Sequence, residues 1–306
     1  MPTTSRTPHA KREDGRMSSG ATDIFLVHRN LLFTVAYEMT GSAADAEDVL
    51  QETWLRWAEV DLAEVRDARA YLVRITTRLS LNRLRTVQRQ RETYIGPWLP
   101  EPLLTTPDVA EDVELADAVS VAMLHVLETL TPSERAVFVL REVFDVPYDD
   151  IAAALDKSAA AVRQIAHRAR SHVEARQPRL EVSLRERQAV VERFMAAVDT
   201  GDIQSLMDVM APDVVLVTDG GGKKKAALRP ILGRDKVMRF ISGVADPRAV
   251  AEPRTINGSP ALCVMIDGEV DTIATFLVED GLVTGMYAVR NPEKLRHLQE
   301  PVTLVR

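Results

Sequence analysis

The chain has 306 residues, of which 46% are apolar; it carries a net charge of −7 and one cysteine, Cys263. That is enough for two or three domains with cores of their own. A single cysteine excludes an internal disulfide and a cysteine-built metal cluster, and fits a reducing, cytoplasmic setting. No apolar run approaches the ~20 residues needed to span a bilayer, and no signal-peptide core opens the chain, so no membrane contact is expected.

Residues 1–20 are polar and rich in Ser, Thr, Pro and Gly, which predicts a flexible tail. From Ile24 to Met39, Phe25, Leu32, Val35, Ala36 and Met39 recur at helical spacing. Gly41-Ser42 breaks that run, and Ser42 is placed to cap a second helix, AADAEDVLQETWLRW. Its apolar side is Ala46, Val49, Leu50, Thr53, Trp54 and Trp57. Between Glu38 and Glu64 there are eight acids against one base. Such a helix is either a solvated cover over a core or an acidic protein-docking face.

The sign then inverts. Arg66 to Arg91 holds eight arginines and one acid. Arg74, Arg78, Asn82, Arg85 and Arg89 fall within an arc of roughly 80° on a helix, while Leu72, Ile75, Thr76 and Leu79 hold another face. Stacked like charges repel, so the stripe costs stability unless a polyanion binds. Arginine suits planar contacts to phosphate and guanine. A merely solvated basic helix is the plainer alternative.

Residues 93–117 contain Pro97, Pro100, Pro102 and Pro107, which predict an extended linker. A bare spacer has no need of Tyr94, Ile95, Trp98, Leu99 and Leu103, so YIGPWLPEP is expected to dock on a neighbouring domain. From Glu101 to Asp117 there are six acids and no base. Helix is expected to resume near Asp112.

Tyr148 to Arg176 reads as two helices joined by a tight corner, the first from about Asp149 to Leu155, with Asp156-Lys157 as the turn and Ser158 as N-cap. On the second helix Val162, Ile165, Ala166, Ala169 and Val173 share one side. Arg163, Gln164, His167, Arg168, Arg170 and Ser171 share the other. A basic helix behind a short helix and a turn is the helix-turn-helix pattern, whose second helix enters the major groove. An ordinary helical hairpin with a solvated basic face has the same pattern.

Acidic helix, basic helix, linker and helix-turn-helix, in that order, resemble a sigma factor of RNA polymerase. AEDVLQETWLRW (46–57) resembles the helix by which sigma domain 2 docks on polymerase. DARAYLVRITTRLSLNRLR (67–85) resembles the segment that reads and helps open the promoter −10 element. Residues 130–170 resemble sigma domain 4, which reads the −35 element. No separate domain 3 lies between them, as in the extracytoplasmic-function class. The resemblance implies core RNA polymerase and promoter DNA as partners. It assigns polymerase docking to Asp48, Gln51, Glu52 and Trp54. It assigns the −10 element to Arg66, Arg69, Arg74, Arg78, Asn82 and Arg85, and the −35 element to Arg163, Gln164, His167 and Arg168.

About 128 residues follow Pro178. Leu184–Val198 reads as a helix ended by Gly201-Asp202, then a shorter helix runs to Met210. VVLVTDGGG (214–222) reads as strand and glycine turn, and Val237–Gly243 as a helix. Residues 261–270, 273–280 and 282–289 are β-rich, with turns at Asp267-Gly268 and Asp280-Gly281. This order resembles the SnoaL-like branch of the nuclear transport factor 2 fold, and DGGGKKK and NPEKL resemble motifs of sigma factors carrying that domain.

The whole then implies a multi-domain chain: two all-α sigma domains, the second with the helix-turn-helix, followed by an α+β SnoaL-like cone. The expected divisions are a tail (1–20), sigma domain 2 (21–92), linker (93–111), sigma domain 4 (112–178) and a regulatory domain (179–306). Trp98, Pro100, Asp219, Gly220, Gly221, Gly222, Lys223, Asn291 and Pro292 are the candidate intramolecular contacts. DGGGK lacks phosphate-loop spacing, so no nucleotide site is expected, nor any metal or cofactor. Because some cones are enzymes with a buried carboxylate base, Asp219, Asp267 and Asp271 are the residues an enzyme would use. A SnoaL-like enzyme and a ligand-sensing transcription factor therefore stand as alternatives to a sigma subunit.

Overall fold

The computed structural model describes residues 10–105, 118–176, 182–296, 298 and 301–305, with side chains from residue 20 onward except at 90 and 199. The first helical domain comprises α1 (Ala10–Thr40), α2 (Ala43–Trp57) and α3 (Ala68–Arg91). Helix α1 starts inside the stretch expected to be a tail. The correction has a local cause: Ala, Lys, Arg and Glu at its start are good helix formers however polar they are. Residues 1–9 lie outside the described residues.

Ser42 caps α2 by accepting from the Asp45 amide at 3.1 Å. Trp57 is fully buried, and its indole N–H donates to the Ala21 carbonyl at 2.8 Å. Thr53 and Thr76 join α2 to α3 through a buried hydroxyl pair.

The second helical domain holds α4 (Val121–Leu127), α5 (Pro132–Phe138) running into a π-type turn, α6 (Tyr148–Leu155) and α7 (Ala159–Glu174). The expected helix start near Asp112 lies outside the described residues. Asp156 ends α6 in the left-handed region, with φ 54°, and Ser158 accepts from the Ala161 amide at 3.2 Å. Val162, Ile165, Ala166, Ala169 and Val173 are all buried, which fixes how α7 is rotated.

The C-terminal domain is α+β: α8 (Leu184–Thr200), α9 (Ile203–Val209), β1 (Met210–Asp219), β2 (Ile231–Leu232), α10 (Arg234–Val244), β3 (Val250–Ile256), β4 (Ser259–Ile266), β5 (Glu269–Glu279) and β6 (Leu282–Val289). Its sheet runs β2-β1-β6-β5-β4-β3, with β1 and β6 parallel and the other pairs antiparallel. Strand β3 is an addition to the expected order. Pro253 and the flanking charges hide it, but an edge strand tolerates a proline.

One face of the sheet packs on Val190, Phe194, Leu206 and Val237 from the helices. The other face does not pack on helices of its own domain. Val217, Ala261, Cys263, Ile273 and Val289 cover themselves with Leu99 and Leu104 of the linker, and His125 of α4 lies against Tyr287. Linker and second domain thus supply the missing layer of the third.

Candidate nucleic-acid interface and its interdomain clasp

On α7, Arg163, Gln164, His167 and Arg168 are exposed together on the side opposite the buried stripe. Arg163 lies over the Tyr148 ring, 5.6 Å from its centroid, and Arg170 pairs with Glu142 at 2.7 Å. The four side chains expected to read DNA therefore form one cationic, solvent-facing surface.

On α3 the stripe is divided. Arg66 and Arg69 near its start, and Asn82 and Arg85 further along, are exposed; Arg74 is half-buried against Tyr71. Arg78 turns to the second domain, donating to the carbonyls of Ala154 at 3.0 Å and Ala153 at 2.8 Å. Those carbonyls end α6, where the helix has unpaired acceptors and negative dipole character. A cleft of about 220 Å³ beside this contact is lined by Arg69, Arg74, Thr77, Asp150 and Ile151.

The acidic face of α2 stays open. Asp48 and Glu52 keep 65% and 53% of their side-chain surface, and Gln51 is exposed. Trp54 is half-buried, tilted on Phe25 at 5.3 Å. Asp45, beside this face, is buried and accepts from Arg83 Nε at 2.7 Å.

The linker residues and the two glycine- and asparagine-bearing loops meet. Asp219 is fully buried at the end of β1. It accepts from Tyr94 Oη at 2.6 Å, the Leu99 amide at 2.9 Å, the Gly221 amide at 3.1 Å and Lys294 Nζ at 2.7 Å. Asn291 donates to Tyr94 Oη at 2.8 Å. Lys294 also donates to the Leu99 carbonyl and lies 3.8 Å from the centroid of Trp98, with Arg91 also over that ring at 3.4 Å. Burial pulls the Lys294 ammonium down to about 8. Gly221 has φ +57°, and a Cβ there would lie 2.3 Å from Asn291 Nδ2. Pro100 is buried, whereas Pro292 is exposed. Lys223 pairs with Glu293 of its own domain.

A second contact was not foreseen. Asn257, in the turn after β3, donates to Tyr37 Oη at 2.7 Å and the Val119 carbonyl at 3.0 Å, and accepts from the Leu103 amide at 2.9 Å. One side chain thereby joins α1, the linker and the second helical domain. Tyr37 in turn donates to the Glu101 carbonyl at 2.6 Å, and the Glu101 carboxylate accepts from Ser42 and the Ala43 amide at the start of α2. The acidic remainder of the linker, 106–117, lies outside the described residues. Asn257-Gly258 is a strong hairpin signal that could have located the turn; YIGPWLPEP and NPEKL mark the segments of Tyr94, Glu101 and Lys294 without naming their partners, and nothing local marks Tyr37.

Deeper in the same interface, Arg135 of α5 donates to the Glu38 carbonyl at 2.9 Å, and Glu128 binds both Arg135 and Arg91. The Glu38 carboxylate is fully buried with no hydrogen bond, and desolvation pushes it up to about 8. The three candidate carboxylates of an enzyme are committed: Asp219 as above, Asp271 to Lys224 and Arg290, and Asp267 to Arg248 in a left-handed turn. Among the described residues no helix is long and apolar enough to cross a membrane.

Residues 24–90 match the model of Sigma-70 region 2, and residues 120–173 that of Sigma-70, region 4. The chain is 39% identical over 283 residues to the ECF RNA polymerase sigma factor SigJ of Mycobacterium tuberculosis, covering 87% of this chain and 90% of that protein. It is 29% identical to the probable ECF RNA polymerase sigma factor SigI of the same species, covering 89% and 93%. The crystal structure of the M. tuberculosis extracytoplasmic function sigma factor SigJ superposes with a TM-score of 0.75 at 35% identity, covering 91% of this chain and 99% of that one.

Proposed function

Since the chain belongs to the extracytoplasmic-function RNA polymerase sigma factors, we propose that it binds core RNA polymerase and directs initiation at specific promoters, and that its own C-terminal domain restrains it. Asp48, Gln51, Glu52 and Trp54 dock on the polymerase. Arg66, Arg69, Arg74, Arg78, Asn82 and Arg85 engage the −10 element, and Arg163, Gln164, His167 and Arg168 the −35 element. The C-terminal domain acts by grasping the linker, which keeps the two helical domains together.

The restraint reading rests on Arg78. The −35 and −10 elements lie about 25 base pairs apart, or ~85 Å at 3.4 Å per step. The Arg78 hydrogen bonds hold α3 against α6 at 2.8–3.0 Å. Domains tied in this way cannot reach both elements, so initiation requires that they part. An enzyme reading finds no support at Asp219, Asp267 or Asp271, each already neutralised by a cation.

Transcription by core polymerase over a promoter library tests the assignment. The wild-type chain is expected to give promoter-specific transcripts. Arg163→Glu with Arg168→Glu is expected to abolish them and to lower the magnitude of the salt slope of DNA binding by about 2. Absence of specific transcripts, or unchanged binding by the variant, refutes the reading.

A further inference from the structure

We propose that the C-terminal clasp withholds the −10 face but leaves the polymerase-docking face free, so that the closed protein loads onto core polymerase and is held there idle. This rests on the sigma reading above, and adds an order of events to it: docking first, opening on the polymerase afterwards.

The separation of the two faces is visible residue by residue. The linker and the C-terminal domain grip the first domain at Thr34 and Tyr37 of α1, at Gly41 to Ala44, and at Arg91. Among the described residues, none of their hydrogen bonds or ion pairs reaches 48–57. There Asp48, Gln51, Glu52 and Leu55 are exposed, beside an open groove of about 330 Å³ between Phe25, Arg29 and Trp54. An acidic rim around a half-buried tryptophan fits a basic, apolar-cored protein surface. Docking there breaks no contact of the clasp. The exposed helix α7 is equally unhindered. The −10 stripe alone is engaged, and in its middle: Arg78 is tied to α6, and Arg69 and Arg74 line the cleft beside it, while Arg66, Asn82 and Arg85 stay exposed.

The energetic corollary concerns what opens the protein. A partner shifts a two-state equilibrium only by its differential affinity for the two states. A surface that is the same in both states gives core polymerase no such leverage through α2 alone. The opening free energy must come from contacts made only after the domains part, which are those to promoter DNA and to the parts of polymerase that receive the linker and the second domain.

A reversible lock tests this. Leu104 and Ile256 face each other across an antiparallel bridge, flanked by Thr105 N→Thr255 O at 3.1 Å and Asn257 N→Leu103 O at 2.9 Å. They are therefore a non-hydrogen-bonded pair, with Cα atoms roughly 4.5 Å apart, within disulfide range. The full chain carrying Leu104→Cys, Ile256→Cys and Cys263→Ser is assayed oxidised and reduced, for core affinity and for run-off transcription. The expected result is core affinity within threefold in the two states. Transcription is expected to fall at least tenfold when oxidised, and to return with reductant. A tenfold or greater loss of core binding on oxidation overturns the inference while leaving restraint by the C-terminal domain in place. Full transcription by the oxidised form with core binding intact sinks the restraint reading itself. Should the bridge fail to form or the reduced chain be inactive, Asn257→Gly serves instead. Its core affinity is expected within threefold of wild type while −10 single-strand binding by the holoenzyme rises, and a tenfold rise in core affinity overturns the inference.

Discussion

Asn257 is the sharpest place to disturb the closed form. Its φ of 51° is a conformation that glycine adopts without strain, so Asn257→Gly removes the side chain and spares the turn. Three hydrogen bonds go, to Leu103 N, Tyr37 Oη and Val119 O. At roughly 1 kcal/mol net for each, closure loses about 3 kcal/mol. With tenfold for every 1.4 kcal/mol, that is ~150-fold in the ratio of closed to open forms. Opening lets water reach the orphaned groups, so the cost falls on the closed state alone. Hydrogen exchange reads it directly: the amides of Leu103 and Thr105 are bonded only across this interface, to Asn257 Oδ1 and Thr255 O. Both are expected to lose about two orders of magnitude of protection, while amides inside α2 and α7 keep theirs. Protection at Leu103 and Thr105 within threefold of wild type would refute the assignment of Asn257 as the joint between domains.

Glu38 makes closure depend on pH. Its carboxyl is raised to about 8 when buried, so the closed form holds a proton that the open form has lost at neutral pH. Closure is therefore undiminished below the ordinary carboxylate range, and weakens as pH rises toward 8, by up to tenfold per unit. His125, lowered by burial, opposes closure only in acid, and Lys294, lowered to about 8, favours closure only above that value. Lys294 begins to titrate as pH nears 8 and then opposes Glu38, so the Glu38 effect dominates between about pH 6.5 and 7.5. Fluorescence transfer between the helical domains is expected to fall across that window in wild type and stay level in Glu38→Gln; identical slopes would remove Glu38 from the switch. Gly221→Ala places a methyl 2.3 Å from Asn291 Nδ2 and 3.0 Å from Tyr94 Oη, in a left-handed conformation. It is expected to cut protection of the Leu99 amide, whose acceptor is Asp219, by tenfold or more; unchanged protection would mean the loop is not held by the linker.

The helix-turn-helix could be read from sequence because everything that makes it is local: a left-handed turn at Asp156, a serine cap and a stripe of small and branched apolar residues. The sheet strands after residue 260 were legible for the same reason, since Asp-Gly turns punctuate alternating apolar runs. Strand β3 was not, because Glu252, Pro253 and Arg254 interrupt its pattern at an edge where neither burial nor a full ladder is required. The clasp was half legible. Apolar residues in a proline-rich linker, and three glycines after a strand, announce contacts without naming partners. Tyr37 and Asn257 meet across 220 positions, and no periodicity encodes such a pair. Arg78 was legible as a base in a stripe, but not as the cap of a helix 75 residues away.

The chemistry of the clasp bears on how easily it yields. Its charged members are worse off buried than in water: Lys294 is lowered to about 8, Arg91 to about 9 and Arg135 to about 10, while Glu38 is raised to about 8, each with desolvation as the leading cause. Their mutual attraction offsets that penalty without a large surplus, as is usual for buried ion pairs. An apolar interface of equal area would hold more tightly and pair less selectively. Polar bonds such as those of Asn257 and Asp219 fix one register of linker on sheet, yet each has water as a nearly equal partner once the domains part. A joint of this kind is specific and marginal together. That combination suits a restraint which promoter DNA and polymerase must be able to displace by their own contacts, with no covalent change.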